Sequence, residues 1–96
     1  MGIKTYPWDP AEFLTSDEAI AEYLTLSLES DDPREIAQAL GAVARARGGI
    51  AQLARETGLS RKSLYRALSD TGNPELGTVL KVLHALGVRL SASLVA

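Results

Sequence analysis

The segment from Ile50 to Ser69 constrains the fold of this chain more than any other. It predicts a short helix that ends at Gly58, a sharp turn, and a second helix that begins after the cap residue Ser60. Two short helices that cross at a steep angle need a small residue at their closest approach, and Ala54 stands at that position. Apolar contacts to the rest of the core would come from Leu53, Leu59, Leu64 and Leu68. The pattern predicts a helix-turn-helix unit.

The second helix of this unit would expose side chains that suit the major groove of DNA. They are Ser60, Arg61, Lys62, Tyr65 and Arg66. Arg61 and Lys62 lie in the first turn, whose residues reach base edges when such a helix docks, and arginine is the commonest reader of guanine. The alternative interpretation is a solvated basic helix face. Because the phased leucines, Ala54 and Gly58 accompany these residues, we favour base reading.

Contacts to the DNA phosphates are expected from polar side chains around that helix. The candidates are Gln52, Ser69, Thr71, Asn73 and Thr78. Backbone N–H groups at helix N-termini bind phosphate, and a capping asparagine can add its side-chain amide. For Asn73 the alternative is a helix cap and nothing more. One recognition helix makes too few contacts for tight operator binding, so we also expect a homodimer.

The charge is distributed unevenly along the chain. Residues 1–35, the acidic N-terminal segment, carry two basic and nine acidic side chains, a balance of −7. Residues 36–96 carry eight basic and three acidic side chains, a balance of +5, and the two figures give the net charge of −2. One face of the protein could therefore meet phosphates while another meets a basic partner.

Three further helices are predicted from caps and from the helical spacing of apolar residues. They cover about residues 16–29, 33–47 and 74–86, and begin at the caps Thr15, Asp32 and Asn73. In the last of them Leu76, Val79, Leu80, Leu83 and Leu86 share one side. The first dozen residues, with Pro7 and Pro10, predict extended chain rather than helix.

The end of the chain changes period. Apolar and polar residues alternate over Val88–Leu94, which is typical of a half-buried strand. A lone strand needs a partner, which could be the segment Ile3–Tyr6, its own copy in a second subunit, or another protein. Helix 74–86 and this candidate strand are both candidates for the dimer surface.

The composition argues against an enzyme. The chain has no cysteine and a single histidine, His84, so thiolate sites, paired-histidine metal sites and cysteine nucleophiles are excluded. The first-turn acids near Asp17 fit the helix dipole without implying an acid–base pair. We expect no catalytic residue, no cofactor and no metal, and we expect His84 on the surface. No run of about 18 to 20 apolar residues could span a bilayer, and we expect a cytoplasmic location.

Taken end to end, the chain resembles the HigA-like family of addiction-module antidotes (antitoxins). The resemblance rests on Trp8-Asp-Pro-Ala-Glu-Phe-Leu14, Glu22-Tyr-Leu24, Asp32-Pro33, Ala39–Gly48, Leu53–Leu68, Gly72-Asn-Pro74 and Leu80–Gly87. It implies an all-α fold, a five-helix lambda-repressor-like helix-turn-helix domain with an extra N-terminal helix, an extended N-terminal arm and the candidate C-terminal strand. Residues 1–31 would form the arm and first helix, a candidate toxin-contacting segment, and residues 32–96 the DNA-binding domain.

The resemblance also implies the partners. Members of that family neutralise a small basic toxin of the RelE/ParE superfamily and, with it, repress their shared operon by binding double-stranded operator DNA, so the protein would associate with the nucleoid when bound. The candidate toxin-binding residues are Tyr6, Trp8, Phe13 and Tyr23, because aromatic side chains are favoured in interface cores. Ile20, Leu24 and Leu28 are expected to pack on the core instead. The alternatives are a stand-alone helix-turn-helix regulator without a toxin, and a protein-interaction module that has lost DNA binding.

Overall fold

The computed structural model of the protein describes residues 9–95, which form five α-helices and one 3₁₀ helix. The 3₁₀ helix is Pro10–Phe13, followed by α1 (Asp17–Glu29), α2 (Pro33–Ala46), α3 (Gly49–Thr57), α4 (Arg61–Ala67) and α5 (Leu76–Ala85). Within residues 9–95 no strand is present. The predicted all-α fold with five helices is confirmed.

Helix caps explain where most of these elements begin. Asp32 accepts a hydrogen bond from the Arg34 N–H at 2.9 Å and begins α2 as predicted. The predicted cap of α1 is wrong by one residue: Ser16, in extended backbone, accepts from the Ala19 N–H, and Thr15 does not. The predicted cap of α5 is also wrong, because the extended residue before that helix is Glu75 and not Asn73. In both cases the helix begins later in the chain than predicted.

The core is built around α2, which contacts the 3₁₀ helix, α1 and α3. Seven residues of α2 are buried, five of them alanine or glycine: Ala37, Ala39, Leu40, Gly41, Ala42, Val43 and Ala44. Small side chains let the neighbouring helices approach closely. Leu53, Leu64 and Val82 bring α3, α4 and α5 into the same cluster. One continuous core therefore supports the α3–turn–α4 unit.

The N-terminal part of the described chain is fastened to this core. Ile20 and Leu24 are buried among the core residues, as expected, and Leu28 is half-buried. Residues 10–13 form a 3₁₀ turn instead of the predicted extended chain, because Asp9 caps the turn by accepting from the Ala11 N–H at 3.0 Å. Pro10 fits this turn, since proline suits the first position of a helix.

Two ion pairs hold the same segment against the end of α2. The guanidinium of Arg45 donates to both carboxylate oxygens of Asp9, at 2.9 and 3.2 Å. Arg47 donates to the carboxylate of Asp17, at the start of α1. The hydrogen bonds from Arg45 and from the Ala11 N–H lower the pKa of Asp9 below its ordinary value. The acidic N-terminal segment is thus partly neutralised by arginines of α2.

The C-terminal end differs most from expectation. Residues 88–95 are irregular, and in the described chain they pair with no strand, so the expected strand is absent there. Its candidate partner Ile3–Tyr6 lies outside the described residues. On α5, Leu83 and Leu86 are buried, but Leu76 and Leu80 are 68% and 47% exposed. The core therefore covers only part of the predicted apolar side of α5 and leaves these two leucines in contact with solvent.

Candidate nucleic-acid interface

The turn between α3 and α4 is set by local hydrogen bonds. Gly58 has φ 77°, in the left-handed region that suits glycine, and its N–H donates to the Ala54 carbonyl at 3.0 Å. The Thr57 hydroxyl donates to the Leu53 carbonyl at 2.8 Å and accepts from the Leu59 N–H at 3.2 Å. These three hydrogen bonds hold the backbone of the turn and so fix the direction in which α4 leaves it.

The start of α4 is equally well defined. The Ser60 side chain accepts from the Ser63 N–H at 3.0 Å, which confirms the predicted cap. The Ser60 hydroxyl also donates to the Ser63 hydroxyl at 2.9 Å. Leu64 is completely buried and Leu68 nearly so, which seats α4 on the core. The orientation of the outer face follows from these anchors.

All five predicted base-reading residues lie on that outer face. Ser60, Arg61, Lys62, Tyr65 and Arg66 are all exposed, and Tyr65 is 57% exposed. Residues 61, 62, 65 and 66 are spaced so that they share one side of the helix. In the described chain no carboxylate pairs with the three basic side chains, so their charge faces solvent. This surface, which we call the α4 face, can accept the edge of a base or a phosphate.

The candidate phosphate contacts fall into two groups. Ser69 and Thr71 come together after α4, where their hydroxyls are 3.1 Å apart and the Ser69 hydroxyl donates to the Arg66 carbonyl at 3.0 Å. Gln52 is half-buried on α3, where its amide oxygen accepts from Arg55 at 2.8 Å. Asn73 is exposed and Thr78 is half-buried. The Ser69–Thr71 pair therefore lies directly beside the end of the α4 face.

Gly72, which the sequence indicated only as part of a break between helices, is in close contact with α4. Gly72 is buried, and a Cβ atom on it would lie 2.2 Å from the carbonyl oxygen of Ala67. The same Cβ would lie 2.8 Å from the Arg66 carbonyl oxygen. The loop therefore presses directly on the last turn of α4. The Gly72-Asn-Pro74 run was the available signal, but it does not indicate what the glycine approaches.

The two candidate toxin-binding aromatic residues that lie in the described chain differ in exposure. Phe13 is 64% exposed at the end of the 3₁₀ helix. Tyr23 is half-buried against the core, and this burial raises the pKa of its phenol above the ordinary value. Tyr6 and Trp8 lie outside the described residues. Four acidic side chains around these positions are exposed: Glu12, Glu18, Glu22 and Glu29.

Other chemistries find little support in residues 9–95. His84 is on the surface, as predicted. Within this range no group of histidine, aspartate and glutamate side chains is arranged to hold a metal ion. None of the helices formed by these residues has both the length and the hydropathy that crossing a membrane requires.

Comparison with known proteins identifies the family. A protein from Haemophilus influenzae, called only an uncharacterized protein, is 50% identical over 82 residues, which cover 85% of this chain and 84% of that protein. No solved structure matches the chain. The family described as "Probable addiction module antidote protein" matches residues 4–94. That family is one of antidotes and not of enzymes. The chain belongs to the probable addiction module antidote protein family.

Proposed function

We propose that this protein is the antitoxin of a type II toxin–antitoxin module, which neutralises a RelE/ParE-superfamily toxin and represses its own operon. Membership of an antidote family supplies a toxin partner of some kind. The finer assignment adds operator binding by a HigA-like, lambda-repressor-like helix-turn-helix unit, α3–turn–α4. The protein would act in the cytoplasm and associate with the nucleoid when bound to its operator.

The observation that carries the DNA-binding half is the α4 face. Its three basic side chains, Arg61, Lys62 and Arg66, have no carboxylate partner in residues 9–95. The helix that presents them is fixed at its start by Ser60 and along its length by the buried Leu64. A preorganised helix with exposed donors in its first turn is what major-groove reading requires.

Binding to the protein's own promoter fragment tests this half. Arg61→Ala and Arg66→Ala should each weaken specific binding about 10- to 100-fold, since a bidentate contact to a base is worth about 1–3 kcal/mol. Arg34→Ala is the matched control, because Arg34 is exposed at the start of α2 and its loss also removes one positive charge. Measurements at about 50 and 200 mM salt separate phosphate contacts from base contacts. Equal effects of all three substitutions would refute base reading by the α4 face.

The toxin-binding half rests on the acidic N-terminal segment and its exposed side chains. Opposite charge speeds the encounter with a basic partner, and aromatic anchors such as Phe13 supply contact area. Deleting residues 1–30 is a poor test, because Leu14, Ile20 and Leu24 belong to the core. Substitutions on the surface keep the fold intact and are therefore preferable.

Growth rescue on co-expression with the neighbouring small open reading frame tests this half. Trp8→Ala and Phe13→Ala should reduce rescue, and Glu22→Lys should reduce it more than Glu56→Lys, which makes the same charge change on α3. Immunoblots establish equal protein levels. Undiminished rescue by all of these variants would refute the placement of the toxin surface. A neighbour that is harmless when expressed alone would refute the antitoxin assignment, and a stand-alone regulator would then be favoured.

A further inference from the structure

The outer face of α1 is exposed to solvent along its length. On its inner side α1 packs against α2 and buries Ile20 and Leu24. Five exposed residues lie on the side away from these two, within an arc of about 100° at 3.6 residues per turn. They form what we call the α1 face: Glu18, Glu22, Thr25, Leu26 and Glu29. This face is available to a partner.

The carboxylates of the α1 face are not balanced within the described chain. Glu18 and Glu22 are four residues apart on the helix, so their like charges repel each other. Glu29 is the last residue of α1, where the helix dipole disfavours a negative charge, and α1 contains no basic residue. Within residues 9–95 no basic side chain forms an ion pair with any of the three. A cationic partner from outside would remove this cost.

The middle of the α1 face can be removed from water at little cost. Leu26 is 63% exposed, although it is apolar. The Thr25 hydroxyl beside it already donates to the Ala21 carbonyl at 2.8 Å and so needs no partner outside the helix. These two residues lie between Glu22 and Glu29 along the chain. An apolar centre with charged residues around it is the usual arrangement of a protein interface.

We propose that the α1 face binds the basic surface with which the toxin binds nucleic acid, and so excludes the nucleic acid from it. The proposal rests on the proposed function, which supplies the toxin. Glu18 and Glu22 are about 6 Å apart along the helix axis, and Glu29 lies about 10 Å further. A row of negative charges on one side of a rod is also what a nucleic acid strand presents to a protein. Leu26 contacts the apolar stems of the lysine and arginine side chains there.

Charge decides between the possible occupants of this face. DNA is repelled by three unpaired carboxylates. No group of acidic and histidine side chains in residues 9–95 is arranged to hold a metal ion. The α4 face of a second copy is basic as well, but in the proposed function that face is occupied by the operator. A basic toxin is the partner that leaves both faces in use.

Competition with RNA tests which surface of the toxin is occupied. The toxin is the purified product of the neighbouring small open reading frame, and the probe is a fluorescent single-stranded RNA of about 15 nucleotides. The full-length antitoxin should displace this RNA, and RNA at about ten times its own Kd should raise the apparent Kd of the antitoxin about tenfold. A parallel titration uses the Arg61→Ala/Arg66→Ala antitoxin, so that RNA binding by the α4 face is excluded.

The outcomes of this titration separate the inference from the proposed function. A toxin that binds RNA and antitoxin together, or that does not bind this RNA, would overturn the inference but leave the antitoxin assignment intact. A wild-type antitoxin that does not bind the toxin at all would overturn both.

Neutral substitutions test the α1 face itself. Glu18→Gln and Glu29→Gln should each weaken toxin binding about 3- to 10-fold at low salt, and Leu26→Ala about 10-fold. Glu56→Gln on α3 and Leu94→Ala are the matched controls, since both residues are exposed. Glu29→Gln should at the same time raise the melting temperature slightly, because it removes an unfavourable charge from the helix end. A residue with a merely structural role would lose binding and stability together.

Two results with these variants would overturn the inference. One is a loss of toxin binding no larger than that of the controls. The other is a change in self-association of the chain without toxin, because the α4 face of a second copy would then be the occupant of the α1 face.

Discussion

Replacing Gly72 by alanine tests how the loop after α4 holds that helix in place. The new Cβ would lie 2.2 Å from the Ala67 carbonyl oxygen and 2.8 Å from the Arg66 carbonyl oxygen. Both atoms are backbone atoms, so no side-chain rotation relieves the contact. Overpacking costs about 1–3 kcal/mol, and a backbone obstacle places this substitution at the upper end, about 3 kcal/mol. For a domain of this size the melting temperature should fall by about 12–24 °C.

Gly41→Ala is the matched control for this substitution. It also adds one methyl group against the end of α4, but the nearest atom, the Leu68 carbonyl oxygen, is 3.0 Å from the new Cβ. Alanine within α2 also gains up to about 1 kcal/mol of helix propensity, which offsets the tighter contact. We expect this variant to stay within about 1 kcal/mol of the wild type.

Urea unfolding, followed by circular dichroism at one fixed protein concentration, gives both free energies of unfolding. The fixed concentration matters because, if the protein dimerises as we expect, its measured stability will depend on concentration. Promoter binding should also fall in Gly72→Ala, since the displaced loop carries Ser69 and Thr71 beside the α4 face. If Gly72→Ala is as stable as Gly41→Ala, the close packing of this loop on α4 is wrong.

Three smaller predictions concern the N-terminal half. Ser16→Ala should cost about 1 kcal/mol in urea unfolding and Thr15→Ala almost nothing, because only Ser16 caps α1. Asp9→Asn should remove a stabilisation of less than about 1 kcal/mol that is present at neutral pH and lost below about pH 4, since the Arg45 hydrogen bond lowers the pKa of Asp9. An unchanged pH dependence would contradict this. In an ultraviolet titration, the ionisation that Tyr23→Phe removes should lie above pH 10, because burial raises the pKa of Tyr23. The free energy of unfolding that comes from keeping this phenol neutral is present below about pH 10. It is lost as pH rises through the raised pKa of Tyr23.

Local signals in the sequence were enough to predict the elements that build the candidate site. Asp32 and Ser60 were identified as caps because a cap bonds to a backbone N–H two or three residues away. Gly58 was identified because a left-handed residue at the end of α3 favours glycine. The exposure of the α4 face followed from the helical spacing of the leucines. Each of these inferences depends on residues within one or two helical turns.

Features that depend on distant parts of the chain escaped prediction. The Asp9–Arg45 contact joins residues 36 positions apart, and nothing near either residue indicates the pairing. The role of Gly72 depends on how the loop folds back onto α4. The exposure of Leu80 could not be predicted from periodicity, because a pattern shows which residues share a side of α5 but not how much of that side the core covers.

The ion pairs change how the charge pattern bears on function. Of the eight basic residues after position 35, Arg45 and Arg47 are paired with Asp9 and Asp17, so six remain for other partners. Half of those six are on the α4 face, where no acidic side chain shares the helix. The acidic N-terminal segment loses two carboxylates to the same pairs but keeps its exposed glutamates. The ion pairs therefore reduce the charge difference between the two parts of the chain below what the sequence alone indicates. The unpaired basic charge that remains is concentrated on the α4 face.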